Sequence, residues 1–238
     1  MYIIKLWILE KKNCNEIYNK IKEESVTIVI SKEKIRALLK VLRICISHYI
    51  KDTYIIENIS IRNEYAYYAV DESDFIKLNG NILWVIGIIN THNKNLRLEV
   101  SYTRNADIIK KIIKTHIQTG NIIISDGWSG YHWLDQPFSG YIHSTHNHAA
   151  GDFGLGLDST SHIESVWNQL KYYIKSLYNI IPSEDFILYL GEAEFRRNIN
   201  SLENDKKLSE LFSILNYIRD IEINNLYSID KLYELTEK

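Results

Sequence analysis

Residues 65–102 contain three consecutive stretches with the composition of β-strands, and they restrict the fold more than any other feature. The stretches are residues 65–70, 82–90 and 96–102, which are rich in Ile, Val, Leu and Tyr. Turn-forming residues lie between them, namely Asn79 with Gly80 and Asn93 with Lys94. Because short turns join antiparallel neighbours, the sequence predicts a three-stranded antiparallel meander.

After the meander, helical and strand patterns alternate. Residues 106–117 carry isoleucines on one helical face, and Gly120 is expected to end this helix. Residues 121–125 form a continuous apolar run, typical of a strand buried on both faces, and residues 141–146 suit another short strand. Residues 162–177 are an amphipathic helix. This order is that of the RNase H-like core, so we expect an α/β fold with a mixed five-stranded sheet flanked by helices.

Helical patterns on both sides of this core predict helical N- and C-terminal extensions. Residues 31–51 predict a helix with Ser31 as its N-cap. Its remaining surface is basic, with Lys34, Arg36, Lys40 and Arg43. That surface suits either contact with DNA or, as is more common, a solvated face. A further helix is predicted at residues 184–199, with weaker helical patterns at 206–219 and 228–236.

The chain therefore divides into a helical N-terminal region (1–60), an RNase H-like domain (61–200) and a helical acidic tail (201–238). Its net charge is −2, although residues 1–60 hold 11 basic against 7 acidic side chains and the tail holds 5 against 8. Nucleic-acid-binding domains usually show a basic footprint. The acidic tail either masks such a footprint in the total or reflects ordinary surface variation.

Composition also restricts the cellular setting. No apolar run approaches the roughly 20 residues that cross a bilayer, and the opening residues lack the basic region and cleavage site of a signal peptide. Cys14 and Cys45 are too few for a zinc ribbon or a disulfide framework. We expect an intracellular, reducing compartment and no membrane partner.

Three carboxylates stand where an RNase H-like fold builds a metal site. Asp71 and Asp126 each close an apolar strand pattern, and Glu164 lies near the start of the 162–177 helix. Glu72 follows Asp71, but neighbouring side chains on a strand point to opposite faces, so only Asp71 is assigned to the site. Carboxylates suit Mg²⁺ and Mn²⁺, which prefer oxygen ligands. A pair of such ions supports phosphodiester cleavage or strand transfer.

The helix that carries Glu164 has a polar stripe beside its apolar one. Asn168, Lys171 and Lys175 follow Glu164 at helical spacing. Cations beside a metal-binding carboxylate would favour a phosphate-backbone substrate. An ordinary amphipathic surface helix has the same pattern, and the two upstream aspartates are what favour the functional interpretation.

Four histidines fall close together in the chain: His143, His146, His148 and His162. Their spacing fits no standard zinc site, and no cysteine lies nearby. They are predicted to be structural or to line the catalytic cleft.

Four segments, taken in order, resemble the DDE transposases of the Merlin superfamily and their bacterial insertion-sequence relatives of the ISXO type. They are VDESDF, IISDGWSGY, YIHSTHNHAAGDF and STSHIESVWNQLK, within a resemblance that covers roughly residues 64–200. The resemblance implies a catalytic and metal-binding triad of Asp71, Asp126 and Glu164 with two Mg²⁺ or Mn²⁺ ions. The implied activity is DNA strand cleavage and strand transfer in transposition.

The same resemblance implies further residues and partners. Lys171 matches a DNA-contacting basic position, and Lys175 and Asn168 share its stripe. His146, Asn147 and His148 match a block before the last helix of the domain and are candidates for the cleft. The implied partners are element ends and target DNA, bound by a homodimer or larger assembly in a nucleus or a bacterial nucleoid.

Two departures from the family pattern keep alternatives open. The sequence has no cysteine zinc ribbon at its start, and the stretch after VDESDF is shorter than in relatives. One alternative is a catalytically inactive transposase remnant that binds DNA or serves a structural role. Another is a general RNase H-like nuclease that lacks strand transfer.

Overall fold

The computed structural model describes residues 2–24, 29–53, 65–78, 80–146, 154–177 and 185–219. These residues form two compact units. The sheet unit comprises the described residues between 65 and 172, and the helical unit comprises those up to 53 and from 173 onward. Within the described segments, no helix combines the length and the apolar character needed to cross a membrane.

The sheet unit is built on five strands. They are β1 (Tyr67–Leu78), β2 (Asn81–Asn90), β3 (Leu96–Ser101), β4 (Ile122–Ser125) and β5 (Ile142–Thr145). Their order across the sheet is β3-β2-β1-β4-β5. The first three pair antiparallel, whereas β4 pairs parallel with both β1 and β5. This is the mixed sheet of the RNase H-like fold, so the predicted fold class and the predicted meander are confirmed.

One face of the sheet carries the main hydrophobic core of this unit. Helix α4 (Ala106–His116) lies against it, because its isoleucines form one apolar face. The N-cap is Asn105, whose side chain accepts from the Ile108 N–H. The core members shared by the sheet and α4 are Tyr68, Val70, Ile86, Ile88, Ile109, Ile113 and Ile123. Up to the register shift between Asp74 and Ile76, even-numbered residues of β1 therefore face α4, and odd-numbered residues face the opposite side.

Helix α5 (Ser161–Leu177) begins in the sheet unit after a small hairpin of β6 (Gly154–Leu155) and β7 (Asp158–Ser159). A 3₁₀ helix at Ser129–Asp135 follows β4. Neither the hairpin nor the 3₁₀ helix was evident from the sequence. Their short segments depend on tertiary contacts more than on a repeating apolar pattern.

Two local expectations are corrected. Strand β1 does not close at Asp71 but continues to Leu78, because its outer half still pairs with β2. The α4 helix is capped at Ile117 and not at Gly120. Gly120 instead has φ +91° in the following turn, where its N–H donates to the Gly140 carbonyl.

The described part of the helical unit contains five helices. They are α1 (Tyr2–Ile8), α2 (Cys14–Glu24), α3 (Lys32–Thr53), α6 (Phe186–Asn198) and α7 (Asn204–Arg219). The helices predicted at 31–51, 184–199 and 206–219 are thus present, and the weaker pattern at 228–236 lies outside the described residues.

Helix α3 starts as predicted but differs in its polar surface. The Ser31 hydroxyl accepts from the Lys34 N–H at 3.3 Å, which confirms the N-cap. Arg43, predicted to lie on the basic surface, is buried and forms an ion pair with Glu192 of α6 at 2.5 Å. The helical pattern of α3 could not reveal this, since the partner is 149 residues away.

Candidate active site

Asp71 lies in the middle of β1, on the face of the sheet opposite α4. Its Oδ2 atom accepts a hydrogen bond from the indole N–H of Trp167 in α5 at 2.8 Å. Glu72 points to the α4 side and is buried there. Asp71 and Glu72 therefore point to opposite faces of the sheet, as the alternation of strand side chains predicts.

Gly87 allows α5 to reach Asp71. It pairs with Asp71 in the β1–β2 register. A Cβ atom at position 87 would lie 2.6 Å from Cη2 of Trp167 and 2.8 Å from Cδ1 of Ile163. Real Cβ atoms do not approach other carbons so closely. Glycine at position 87 therefore allows α5 to pack this close to β2.

We expect Gly87→Ala to lower the free energy of unfolding by about 1–3 kcal/mol, the usual range for overpacking a filled site. The reason is that Trp167 and Ile163 must both move to admit one methyl group. Urea unfolding measures the change. Gly127→Ala is the matched control, because a Cβ at Gly127 meets nothing within 4 Å. Equal unfolding midpoints for the two variants would contradict this packing of α5.

Asp126 directly follows β4, whose register sets its height in the sheet. The parallel pairs Tyr67–Ile122 and Ala69–Ile124 share an offset of 55 residues (122 − 67 and 124 − 69). Continued for two residues, the same offset brings Asp126 level with Asp71 on the adjacent strand. The Asp126 Oδ1 atom accepts from the Trp128 N–H at 3.0 Å, which fixes the turn after β4.

The electrostatics of Asp71 reflect this arrangement. Burial raises the pKa of Asp71 to about 6, and the negative charges of Glu72 and Asp126 raise it further, while the Trp167 hydrogen bond opposes the shift. A desolvated carboxylate beside other carboxylates is poorly stabilised as an anion. A cation bound at this position would stabilise the charged form.

Glu164 lies in the first turn of α5, three residues before Trp167. Its N–H donates to the Thr160 carbonyl at 3.2 Å, and its side chain is half-buried. Residues three apart share a helix face. Glu164 is therefore one turn from the indole that bonds to Asp71.

The donor chemistry fits a hard divalent cation, because all three side chains offer carboxylate oxygens. The structure brings Asp71 and Asp126 to one level of the sheet and Glu164 to the adjacent helix turn. Among the described residues, however, no three His, Cys, Asp or Glu side chains are close enough together to hold a metal ion. One Asp71 oxygen is engaged by Trp167 instead.

Comparison with known proteins identifies the family. The model of the ISXO2-like transposase domain matches residues 50–198, which is more than half of the chain. The chain belongs to this transposase family. It is also 30% identical over 93 residues to an uncharacterized transposase-like protein of Haemophilus influenzae, covering 39% of this chain and 72% of that protein.

Solved structures of similar shape share little sequence with this transposase-family chain. The catalytic core domain of BIV integrase is 14% identical, with a TM-score of 0.39, over 58% of this chain and 85% of that one. The HTLV-2 integrase catalytic core domain in complex with magnesium is 12% identical, with a TM-score of 0.36, over 58% and 87%. A simian T-cell lymphotropic virus intasome chain is 11% identical, with a TM-score of 0.37, and this chain spans 47% of it.

The polar stripe of the transposase domain's α5 is exposed. Asn168, Lys171 and Lys175 all reach solvent. The Lys171 ammonium lies 5.3 Å from the centroid of the Phe75 ring, and that ring contacts Trp167 edge-on at 5.9 Å. Lys171 is thereby connected, through two aromatic rings, to the side chain that bonds to Asp71.

His146 occupies the same level of the sheet as the two aspartates. The β4–β5 pairs have an offset of 20 residues, from Ile122–Ile142 to Ser125–Thr145, and the His146 N–H donates to the Ser125 carbonyl at 3.1 Å. The His146 Nε2 atom lies 2.9 Å from Asp158 Oδ1. Asn147 and His148, the other predicted cleft residues, lie outside the described residues.

The other two described histidines of the predicted cluster, His143 and His162, have separate partners. His143 lies between the Ser125 hydroxyl at 2.8 Å and the Asp135 carboxylate at 2.7 Å. The His162 Nε2 atom is 2.8 Å from the Gly156 carbonyl oxygen. Their clustering along the chain therefore does not bring His143 and His162 to a common partner.

Sequence reasoning missed three residues that shape the site. Trp167, Gly87 and Trp128 were not singled out as site residues. A glycine inside an apolar strand often marks the close approach of another element, so Gly87 carried a usable signal. The Trp167 contact depends on Asp71, 96 residues away, and carried no local signal. Trp128 contacts Asp126 close by in the chain, but its contact with Arg104 depends on tertiary packing.

Proposed function

We propose that this protein is a DDE transposase that catalyses metal-dependent DNA strand cleavage and strand transfer. The observation that carries the proposal is the shared level of Asp71 and Asp126 on adjacent parallel strands, in a chain of the ISXO2-like transposase family. Glu164, one helical turn from the Trp167 side chain that contacts Asp71, would complete the triad.

In this proposal, Asp71, Asp126 and Glu164 hold two Mg²⁺ or Mn²⁺ ions. When bound, such ions activate the attacking oxygen and stabilise the leaving one. Asp71 would contribute a carboxylate to metal binding beside Asp126, with which the strand register makes it level, and Trp167 would link it to α5. Its raised pKa supports this role, because burial beside other carboxylates makes an anionic Asp71 favour a cation.

The exposed stripe of α5 would bind the substrate. Lys171 and Lys175 would contact backbone phosphates, and Asn168 would donate hydrogen bonds beside them. The substrates would be the ends of a mobile element and a target duplex, bound by a homodimer or a larger assembly.

Two DNA substrates test the proposal. Purified full-length protein is expected to nick supercoiled plasmid with Mg²⁺ or Mn²⁺ but not in EDTA. It is also expected to join a pre-cut element end to plasmid only when that end carries a free 3′-hydroxyl. Nicking without joining would indicate a general nuclease. DNA binding with neither reaction would contradict the proposal and support a non-catalytic remnant.

A further inference from the structure

A second network lies on the α4 side of the sheet, directly behind the candidate active site. Glu72, the neighbour of Asp71 in β1, is buried and accepts from the Tyr131 hydroxyl at 2.6 Å and from Arg104 Nε at 2.6 Å. Arg104 also places Nη2 at 2.5 Å from the same carboxylate oxygen. Arg104 is therefore held by a charge-assisted pair with a fully buried carboxylate, while its own side chain remains 33% exposed.

The held guanidinium lies between two indoles. Its central carbon is 4.2 Å from the centroid of the Trp128 ring and 5.1 Å from that of Trp84. Arginine stacks on aromatic faces in this way through its planar, delocalised charge. Trp128 is the residue whose N–H donates to the Asp126 carboxylate. A continuous series of contacts therefore runs from Glu72 through Arg104 and Trp128 to Asp126.

The Trp128 indole packs closely against the backbone at Gly130. A Cβ atom at position 130 would lie 2.0 Å from Cζ3 of Trp128. The Trp128 ring also meets Tyr131 edge-on, with centroids 5.7 Å apart. The indole is therefore confined between Arg104, Gly130 and Tyr131. This packing restricts the conformation of the turn in which the Trp128 N–H donates to the Asp126 carboxylate.

We propose that Arg104 is a positioning residue that orients the Asp126 carboxylate by clamping Trp128 against the sheet. The inference rests on the proposed function, because it assigns Asp126 to metal binding. Arg104 itself does not touch the substrate. Groups that orient metal ligands typically contribute about 10–100-fold to metal affinity.

Amide hydrogen exchange at Trp128 and Mn²⁺ affinity, both measured on the full chain, test this role. Since Arg104→Met leaves the buried Glu72 unpaired and can prevent folding, the main variant is the double substitution Glu72→Met with Arg104→Met, which removes both charges. Trp128→Leu is the second variant, because it keeps the ion pair and removes the ring. Lys110→Met is the matched control: Lys110 lies 5.4 Å over the Trp133 ring and has no link to Asp126.

We expect both clamp variants to exchange the residue-128 amide at least about tenfold faster and to bind Mn²⁺ about 10–100-fold more weakly. Lys110→Met should leave both the amide exchange rate and the Mn²⁺ affinity at the parent values. Trp128→Phe keeps an aromatic ring for Arg104 and should therefore stay close to the parent in both measurements. Unchanged exchange and affinity in the clamp variants would overturn the inference. If the parent protein binds no Mn²⁺, the proposed function fails. Exchange of the residue-128 amide in the clamp variants then still decides the inference: faster exchange supports the positioning role of Arg104, and unchanged exchange contradicts it.

Discussion

Asp126→Asn is expected to reduce metal-dependent DNA nicking by at least about a thousandfold, the scale on which removing one member of a catalytic group acts. Asparagine keeps the size of the side chain and an oxygen that can accept from the Trp128 N–H. It removes the negative charge beside Asp71. The loss is therefore expected in metal binding, with little change in folding.

Asp74→Asn is the matched control for this experiment. Asp74 is an exposed aspartate in β1, three residues from Asp71, and it lies on the face of the sheet opposite Asp71. Its substitution should leave nicking unchanged. Mn²⁺ should raise the thermal unfolding temperature of the parent and of Asp74→Asn, because ligands that bind only the folded state stabilise it. Nicking by Asp126→Asn at the parent rate would refute the triad.

Glu192→Gln is expected to lower the free energy of unfolding of the helical unit by about 3–5 kcal/mol, the usual cost of breaking a buried ion pair from one side. Glu192 is fully buried and accepts from Arg43 at 2.5 Å and from Arg196 at 2.7 Å. Both guanidinium groups also lie over the Trp7 ring. Glutamine would remove the negative charge that Glu192 presents to these two buried cations.

The pH dependence of this effect follows from the same contacts. Burial alone would raise the pKa of Glu192, but Arg196 and Arg43 reverse this and lower it from its ordinary 4.5. A lowered carboxyl pKa contributes stability that is present above pH 4.5 and is lost as the pH falls through the lower, folded-state value. The difference in free energy of unfolding between Glu192→Gln and the parent should therefore become smaller at acidic pH.

Urea unfolding followed by far-UV circular dichroism, with hydrogen exchange of the α6 amides, measures the loss. Glu33→Gln is the control, since Glu33 pairs with Arg36 at 3.6 Å on the exposed surface of α3. Exposed pairs contribute less than about 1 kcal/mol. A Glu192→Gln protein as stable as Glu33→Gln would show that the buried cluster does not hold α3 and α6 together.

The elements of the sheet unit could be predicted because their patterns are local. Alternation and turn residues located the meander, and the apolar run at 121–125 located β4, with bounds within two residues of those observed except at the end of β1. The continuation of β1 past Asp71 escaped prediction, because it depends on pairing with β2 and not on its own composition. Arg43 was misplaced for a similar reason, as a charged side chain is assumed exposed unless its partner is known.

The sequence by itself determined the order of the five main strands with α4 and α5, and the alternation that separates Asp71 from Glu72, because both depend on residues close together in the chain. It also indicated the family, through four short motifs that are each local. Only the tertiary structure decided which side chains meet. The strand register brings Asp126 level with Asp71, Gly87 admits Trp167, and Arg104 reaches Trp128. These contacts join residues that are between 24 (Arg104 and Trp128) and 80 (Gly87 and Trp167) positions apart in the chain. Packing and register set such distances, and no local pattern encodes them.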